Sequence, residues 1–159
     1  MLPRFTGHSE AVGGVAFSPD GQRVVTASSD KLAKIWDFAT RQEIRTLRGH
    51  TAALNSVVFS PDGTLVLTAA DDGTARLWDA QSGQEVRRFV GHSAGVGPVD
   101  ISPDGQYVAT ASADNTARLW PTDAQAGVRY LCARVPRDFT AQERAQYNIQ
   151  DQEPTCSAK

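Results

Sequence analysis

Residues 49–79 read GHTAALNSVVFSPDGTLVLTAADDGTARLWD. Gly49-His50 opens this stretch, Ser60-Pro61-Asp62-Gly63 stands near its middle, and Trp78-Asp79 closes it. The dipeptide returns as Gly7-His8 and Gly91-His92, 42 residues to either side. In the same register the tetrapeptide returns as Ser18-Pro19-Asp20-Gly21 and Ser102-Pro103-Asp104-Gly105, and the tryptophan as Trp36 and Trp120. Three unrelated markers in one register define an internal repeat. A period of this length means one supersecondary unit that buries its apolar face by stacking on its neighbours.

Each unit reads as four short strands. In the first copy they are expected at Val12 to Ser18, Arg23 to Ala27, Ala33 to Phe38 and Glu43 to Leu47. Alternating apolar residues, β-branched content and evenly spaced turn signals all point that way. In Ser-Pro-Asp-Gly, Pro presets φ at the first central position and Gly takes the left-handed conformation that returns the chain. The next hairpin has Gly73 where a positive φ is expected, and Asn115 tolerates that conformation in the third copy. Lys31 fits it poorly, so a strained or differently shaped turn is expected there.

The Gly-His dipeptides, the Ser-Pro-Asp-Gly turns and the endings Trp36-Asp37 and Trp78-Asp79 resemble the WD-repeat β-propeller family. The resemblance covers about residues 1 to 131. It implies an all-β fold: three four-stranded propeller blades, a partial propeller. It also implies a buried chain of hydrogen bonds in each blade. Carried onto this sequence, Trp36 donates to Thr26, Thr26 to His8, and His8 to Asp30. The second set is Trp78, Thr68, His50 and Asp72, and the third is Trp120, Thr110, His92 and Asp114. Trp120-Pro121 departs from the family ending. Proline has no N–H for a ladder, so the strand is expected to stop there.

A Thr, a His and an Asp in each unit also invite a hydrolase reading, but geometry and roles must decide a triad. One set per unit favours a structural role, because an enzyme needs a single site. All three histidines fall in these sets, leaving none for general-base work or for a metal. The expectation is therefore a non-enzyme with no cofactor and no metal.

The chain has 159 residues and a net charge of −2. That charge argues against a surface that coats nucleic acid. No apolar run approaches the roughly 18 residues needed to span a membrane. Met1 to Phe5 lacks the apolar core of a secretory signal, and the expected compartment is the cytoplasm. The expected partners are proteins. In the resembled family they dock on the face carrying the Gly-His and Asp loops, which places Glu10, Ser29, Lys31, Leu54, Asp71 and Asn115 as candidate contacts. None of these is the Trp, Tyr or Arg that dominates binding hot spots, so the sequence names no ligand. Arg45, Arg87 and Arg129 recur on the fourth strands and read as solubilising charge on an edge.

The units run 7–48, 49–90 and 91–132, with 1–6 as an extra outer strand and 133–159 as a tail. Val128 to Cys132 aligns with Val86 to Val90 as the third unit's own fourth strand. In the tail, Thr140-Ala141-Gln142-Glu143 is a capping box that predicts a short helix from Ala141 to about Tyr147, with a frayed end after Asp151. The stretch around Arg137 to Thr140, with Tyr147 and Pro154 to Cys156, resembles the close of WD arrays in bacterial signal-transduction NTPases and kinase-linked scaffolds. Cys132 and Cys156 are expected as thiols in a reducing compartment. Closed propellers need roughly four to eight blades, so three leave two sheet faces uncovered. Either blades lying upstream in a longer chain cover them, which this reading prefers, or the module self-associates. In a closed dimer Met1 to Phe5 and Val128 to Cys132 compete for one edge. The function expected is an interaction scaffold, the C-terminal sensing part of a larger bacterial signalling protein; the alternative is a stand-alone module that assembles into a closed propeller.

Overall fold

The structure is a computed structural model that describes residues 4–123. Met1 to Pro3, the expected strand Val128 to Cys132, the capping-box helix, the frayed end and both cysteines lie outside the described residues.

Among the described residues eleven strands form three antiparallel sheets. The first holds β1 (Val12–Phe17), β2 (Arg23–Ser28), β3 (Leu32–Asp37) and β4 (Glu43–Arg48) in sequence order. The second holds β5 (Leu54–Phe59), β6 (Leu65–Ala70), β7 (Thr74–Asp79) and β8 (Glu85–Val90). The third holds β9 (Val96–Ile101), β10 (Tyr107–Ser112) and β11 (Ala117–Pro121) among the described residues. Each expected strand of the first unit is present to within a residue or so at its ends, and β11 ends at Pro121.

The turns follow their residues. Gly21, Gly63 and Gly105 sit at φ 69°, 71° and 70°, and the N–H of each bonds back to the serine carbonyl of its Ser-Pro-Asp-Gly turn. At the β2–β3 turn and its equivalents, Lys31, Gly73 and Asn115 have φ 70°, 79° and 66°. Lys31 therefore adopts the same turn as its neighbours and carries the left-handed strain of an ordinary side chain. Lys31 is exposed and has no packing to lose. Lys31→Gly is expected to stabilise the protein by about 1 kcal/mol, read as a rise in melting temperature; an unchanged or lower melting temperature would refute the strain.

The sheets stack face to face, with β1, β5 and β9 adjacent. Between the first two, Val25, Ile35 and Leu47 meet Leu54, Val57, Phe59 and Trp78. Between the second and third, the equivalent Leu67, Leu77 and Phe89 meet Val96, Val99, Ile101 and Trp120. Each sheet thus has a front face bearing its tryptophan, and the first two have rear faces of aliphatic residues, joined in the second by Phe89. A bulge at Val12/Gly14 and at Leu54/Ser56 breaks strict alternation in β1 and β5. The extra residue returns the first strand residue to the front face, beside Val15 or Val57.

That bulge corrects one expectation. Leu54 is not a partner-facing loop residue: it opens β5 and is 3% exposed inside the core between the first two sheets. The reading of the fourth-strand arginines as solubilising charge is corrected for Arg87, whereas Arg45 is exposed and Arg129 lies outside the described residues. Arg87 is 4% exposed. Its guanidinium lies 5.0 Å from the Phe89 ring centroid and donates to the carbonyl of Thr122 at 3.1 Å. Arg45 Nε donates to Gln81 O at 2.8 Å. Both side chains reach from one sheet to the next, so they join blades.

Candidate functional site

The three polar sets assemble where strands, loop and turn of each sheet converge. In the second sheet Thr68 lies on β6 and Trp78 on β7, while His50 precedes β5 and Asp72 sits in the β6–β7 turn. Trp78 Nε1–H donates to Thr68 Oγ1 at 2.8 Å, and Thr68 Oγ1 lies 2.8 Å from His50 Nε2. His50 Nδ1 lies 2.9 Å from Asp72 Oδ2. The acceptor role of Asp72 sets Nδ1 as the protonated nitrogen, so Nε2 accepts from the threonine hydroxyl. The first sheet repeats this with Trp36 to Thr26 at 2.9 Å, Thr26 to His8 at 2.7 Å and His8 to Asp30 at 2.9 Å. The third has Trp120 to Thr110 at 2.9 Å, then 2.8 Å for both Thr110 to His92 and His92 to Asp114.

The carboxylates then reach backbone. Asp72 Oδ2 accepts the Thr51 N–H at 3.0 Å, and Asp30 and Asp114 accept those of Ser9 and Ser93 at 3.1 Å. Each chain therefore runs from the core to the loop before the first strand and ties it to the neighbouring hairpin. Burial would raise the Asp72 carboxyl, but the Thr74 hydroxyl, the Thr51 N–H and His50 outweigh it and hold the carboxyl at about 2. Burial lowers the His50 imidazole, against an opposing pull from Asp72. The pair is a neutral imidazole hydrogen-bonded to a carboxylate.

This arrangement offers little to a substrate. The threonine oxygen is the atom a hydrolase would use, yet Thr68 is 0% exposed and its hydroxyl is enclosed by Trp78 and His50. Thr26 and Thr110 are buried in the same way. Among the described residues no group of three His, Cys, Asp or Glu is placed to hold a metal ion, and no helix is long and apolar enough to cross a membrane.

The loops tied down by these chains adjoin one another. Asn55 Nδ2 donates to Asp71 Oδ1 at 2.6 Å and to Val96 O at 3.0 Å, linking the second sheet's turn to the third sheet. Gly95 lies so near Asp71 that a Cβ there would stand 2.7 Å from its Oδ1. On this continuous end of the molecule Glu10, Lys31, Asp71 and Asn115 are exposed and Ser29 is half-buried.

Sequence reasoning missed a second polar layer. Beside the tryptophans, Lys34 Nζ pairs with Glu43 at 2.6 Å and Arg76 Nη1 with Glu85 at 2.8 Å. The signal was a cation two residues before the tryptophan and an acid nine residues after that cation. Arg118 repeats the cation and lies 5.8 Å from the Trp120 ring centroid, but the matching acidic position is Gly127.

The WD domain, G-beta repeat model matches residues 1–37, 41–79 and 83–121. These segments cover most of the chain, and the chain belongs to the WD-repeat family. The second and third matched segments begin before the outer strand of one sheet and end on the third strand of the next, which is why their limits differ from those of the sheets. Similar curated proteins include Ribosome assembly protein 4 of Saccharomyces cerevisiae, 53% identical over 36 residues, 23% of this chain and 7% of that protein. Vegetative incompatibility protein HET-E-1 of Podospora anserina is 59% identical over 34 residues, 21% of this chain and 2% of that protein. An uncharacterized WD repeat-containing protein of Synechocystis is 48% identical over 42 residues, 26% of this chain and 12% of that protein. The chain therefore matches only a small part of each relative's length.

Proposed function

We propose that this chain is a protein-interaction scaffold without catalytic activity, and that its partner docks on the end formed by the loops before β1, β5 and β9 and the adjoining hairpins. One observation carries the reading: three equivalent hydrogen-bond chains fix three neighbouring loops into a single surface. A surface held this way loses little conformational entropy when it binds. In this reading the Trp-Thr-His-Asp sets are structural ties, and Glu10, Ser29, Lys31, Asp71 and Asn115 are the contacts. The tail pattern around Arg137 to Thr140 supports placing the scaffold at the sensing end of a larger bacterial signalling protein.

The test is site-specific photocrosslinking in cells. A photoreactive residue at Lys31 or Asn115 is expected to capture a discrete protein adduct. The same residue at Gln22 or Gln106, in turns at the other end of the sheets, is expected to capture none. Equal labelling from both ends would refute this docking face.

A further inference from the structure

We propose that a second copy of this chain covers the two open sheet faces, closing a six-sheet ring in which each copy supplies three sheets. Among the described residues the front of the first sheet and the rear of the third carry exposed apolar side chains: Val15 is 66% exposed, Phe17 59% and Leu119 73%. Their counterparts are buried at two junctions. Val57 and Phe59 occupy the Val15 and Phe17 positions in the second sheet and pack on the first. Ile35 and Leu77 occupy the Leu119 position and pack on the following sheet. The two open faces are thus the two halves of a junction that the molecule already makes twice.

A second observation concerns the outer edge. Phe5 lies 5.7 Å from Trp36 with its ring tilted 45°, and Phe89 lies 5.8 Å from Trp120 with its ring tilted 47°. Phe89 belongs to β8, the outer strand of the sheet in front of Trp120. Phe5 therefore stands where the outer strand of a sheet in front of Trp36 belongs, and the space left beside it is three strands wide. The third sheet is described with three strands and an edge at β11. Packed against the first sheet of the second copy, it fills that space, and the segment at Phe5 becomes its fourth strand in place of Val128 to Cys132.

Ring closure by the three described sheets of each copy calls for two copies. Closed propellers carry roughly four to eight blades, and six is the only multiple of three in that range. The two junctions are then equivalent by a two-fold axis.

Light scattering on the intact chain tests this. The expected mass is twice the 17.1 kDa of one chain. Val15→Arg and Leu119→Glu each place a charge on one open face, so either variant alone spoils both junctions and is expected at the single-chain mass with an unchanged circular dichroism spectrum. Mixing the two is expected to restore the double mass, since one junction of the mixed ring is unaltered and the other brings Arg and Glu together. By the pairing of Ala75 with Phe89, Phe5 of one copy meets Ala117 of the other. In a Cys132→Ser, Cys156→Ser background, Phe5→Cys with Ala117→Cys is expected to oxidise to a covalent dimer. A parent chain at the single mass, as it would be if only blades of a longer chain cover the faces, overturns the proposal. So does an open-ended series of masses, or failure of the mixture to reassociate. A failed crosslink overturns the strand exchange.

Discussion

Trp78→Ala is expected to cost about 3–5 kcal/mol from lost burial alone, enough to unfold a domain at the lower end of the usual stability range of about 5–15 kcal/mol. Trp78 is fully buried between the first two sheets and supplies the N–H that Thr68 Oγ1 accepts. Its removal opens a cavity between the first two sheets, beside Gly49, and leaves a buried hydroxyl oxygen short of a donor. Trp78→Phe separates the two effects. It keeps most of the burial and loses the N–H, and is expected to cost about 1–3 kcal/mol. Urea denaturation followed by circular dichroism measures both. A cost under 1 kcal/mol for Trp78→Ala would mean that the junction is not packed as described.

The same tryptophan made much of this fold legible in the sequence. The Trp, Thr, His and Asp positions recur every 42 residues, and a buried polar chain needs all of its members at once. Sheet order and turn shapes were legible for the same reason, because Ser-Pro-Asp-Gly and Gly73 dictate local geometry that repeats without insertion. Features that depend on two sheets meeting were not legible. Leu54 reads in the sequence with Thr51 to Ala53 as the Gly-His loop, and only the pairing of β5, with its bulge at Leu54/Ser56, places it inside. Arg87 looked like edge charge because nothing in its own strand reveals that the carbonyl of Thr122 lies within reach. Arg41 takes φ 62° where the next unit has Gly83 at 77°, a turn whose signal one copy had lost. The candidate site divides along the same line. Its internal members were readable from the repeat, whereas the partner's identity depends on exposed residues that differ from unit to unit, such as Lys31 and Asn115.

Stability is expected to fall in two steps as pH drops, and His50→Ala is expected to remove the first. Burial holds the His50 imidazole below its ordinary value of 6.5. The unfolded chain therefore takes up a proton at a pH where the folded chain does not, and by linkage the contribution of His50 is complete above 6.5 and declines as pH falls beneath it. Asp72 acts lower on the scale. Its carboxyl drops from 3.8 to about 2 on folding, so its contribution is complete above about 4 and is lost between there and about 2. The shift corresponds to no more than about 2 kcal/mol, and solvent screening reduces that to about 1 kcal/mol. His50→Ala leaves Thr68 and Asp72 each short of one partner, though Thr68 keeps the Trp78 N–H and Asp72 keeps the Thr51 N–H, and is expected to cost about 1–3 kcal/mol at pH 7. Between pH 6.5 and 5 the stability of the variant should change less than that of the parent, because the group that titrates there is gone. Denaturant midpoints of both proteins across that range decide the matter. Parallel curves would mean that His50 titrates alike in the folded and unfolded chains, and would remove the physical basis for treating the pair as a neutral imidazole bound to a carboxylate.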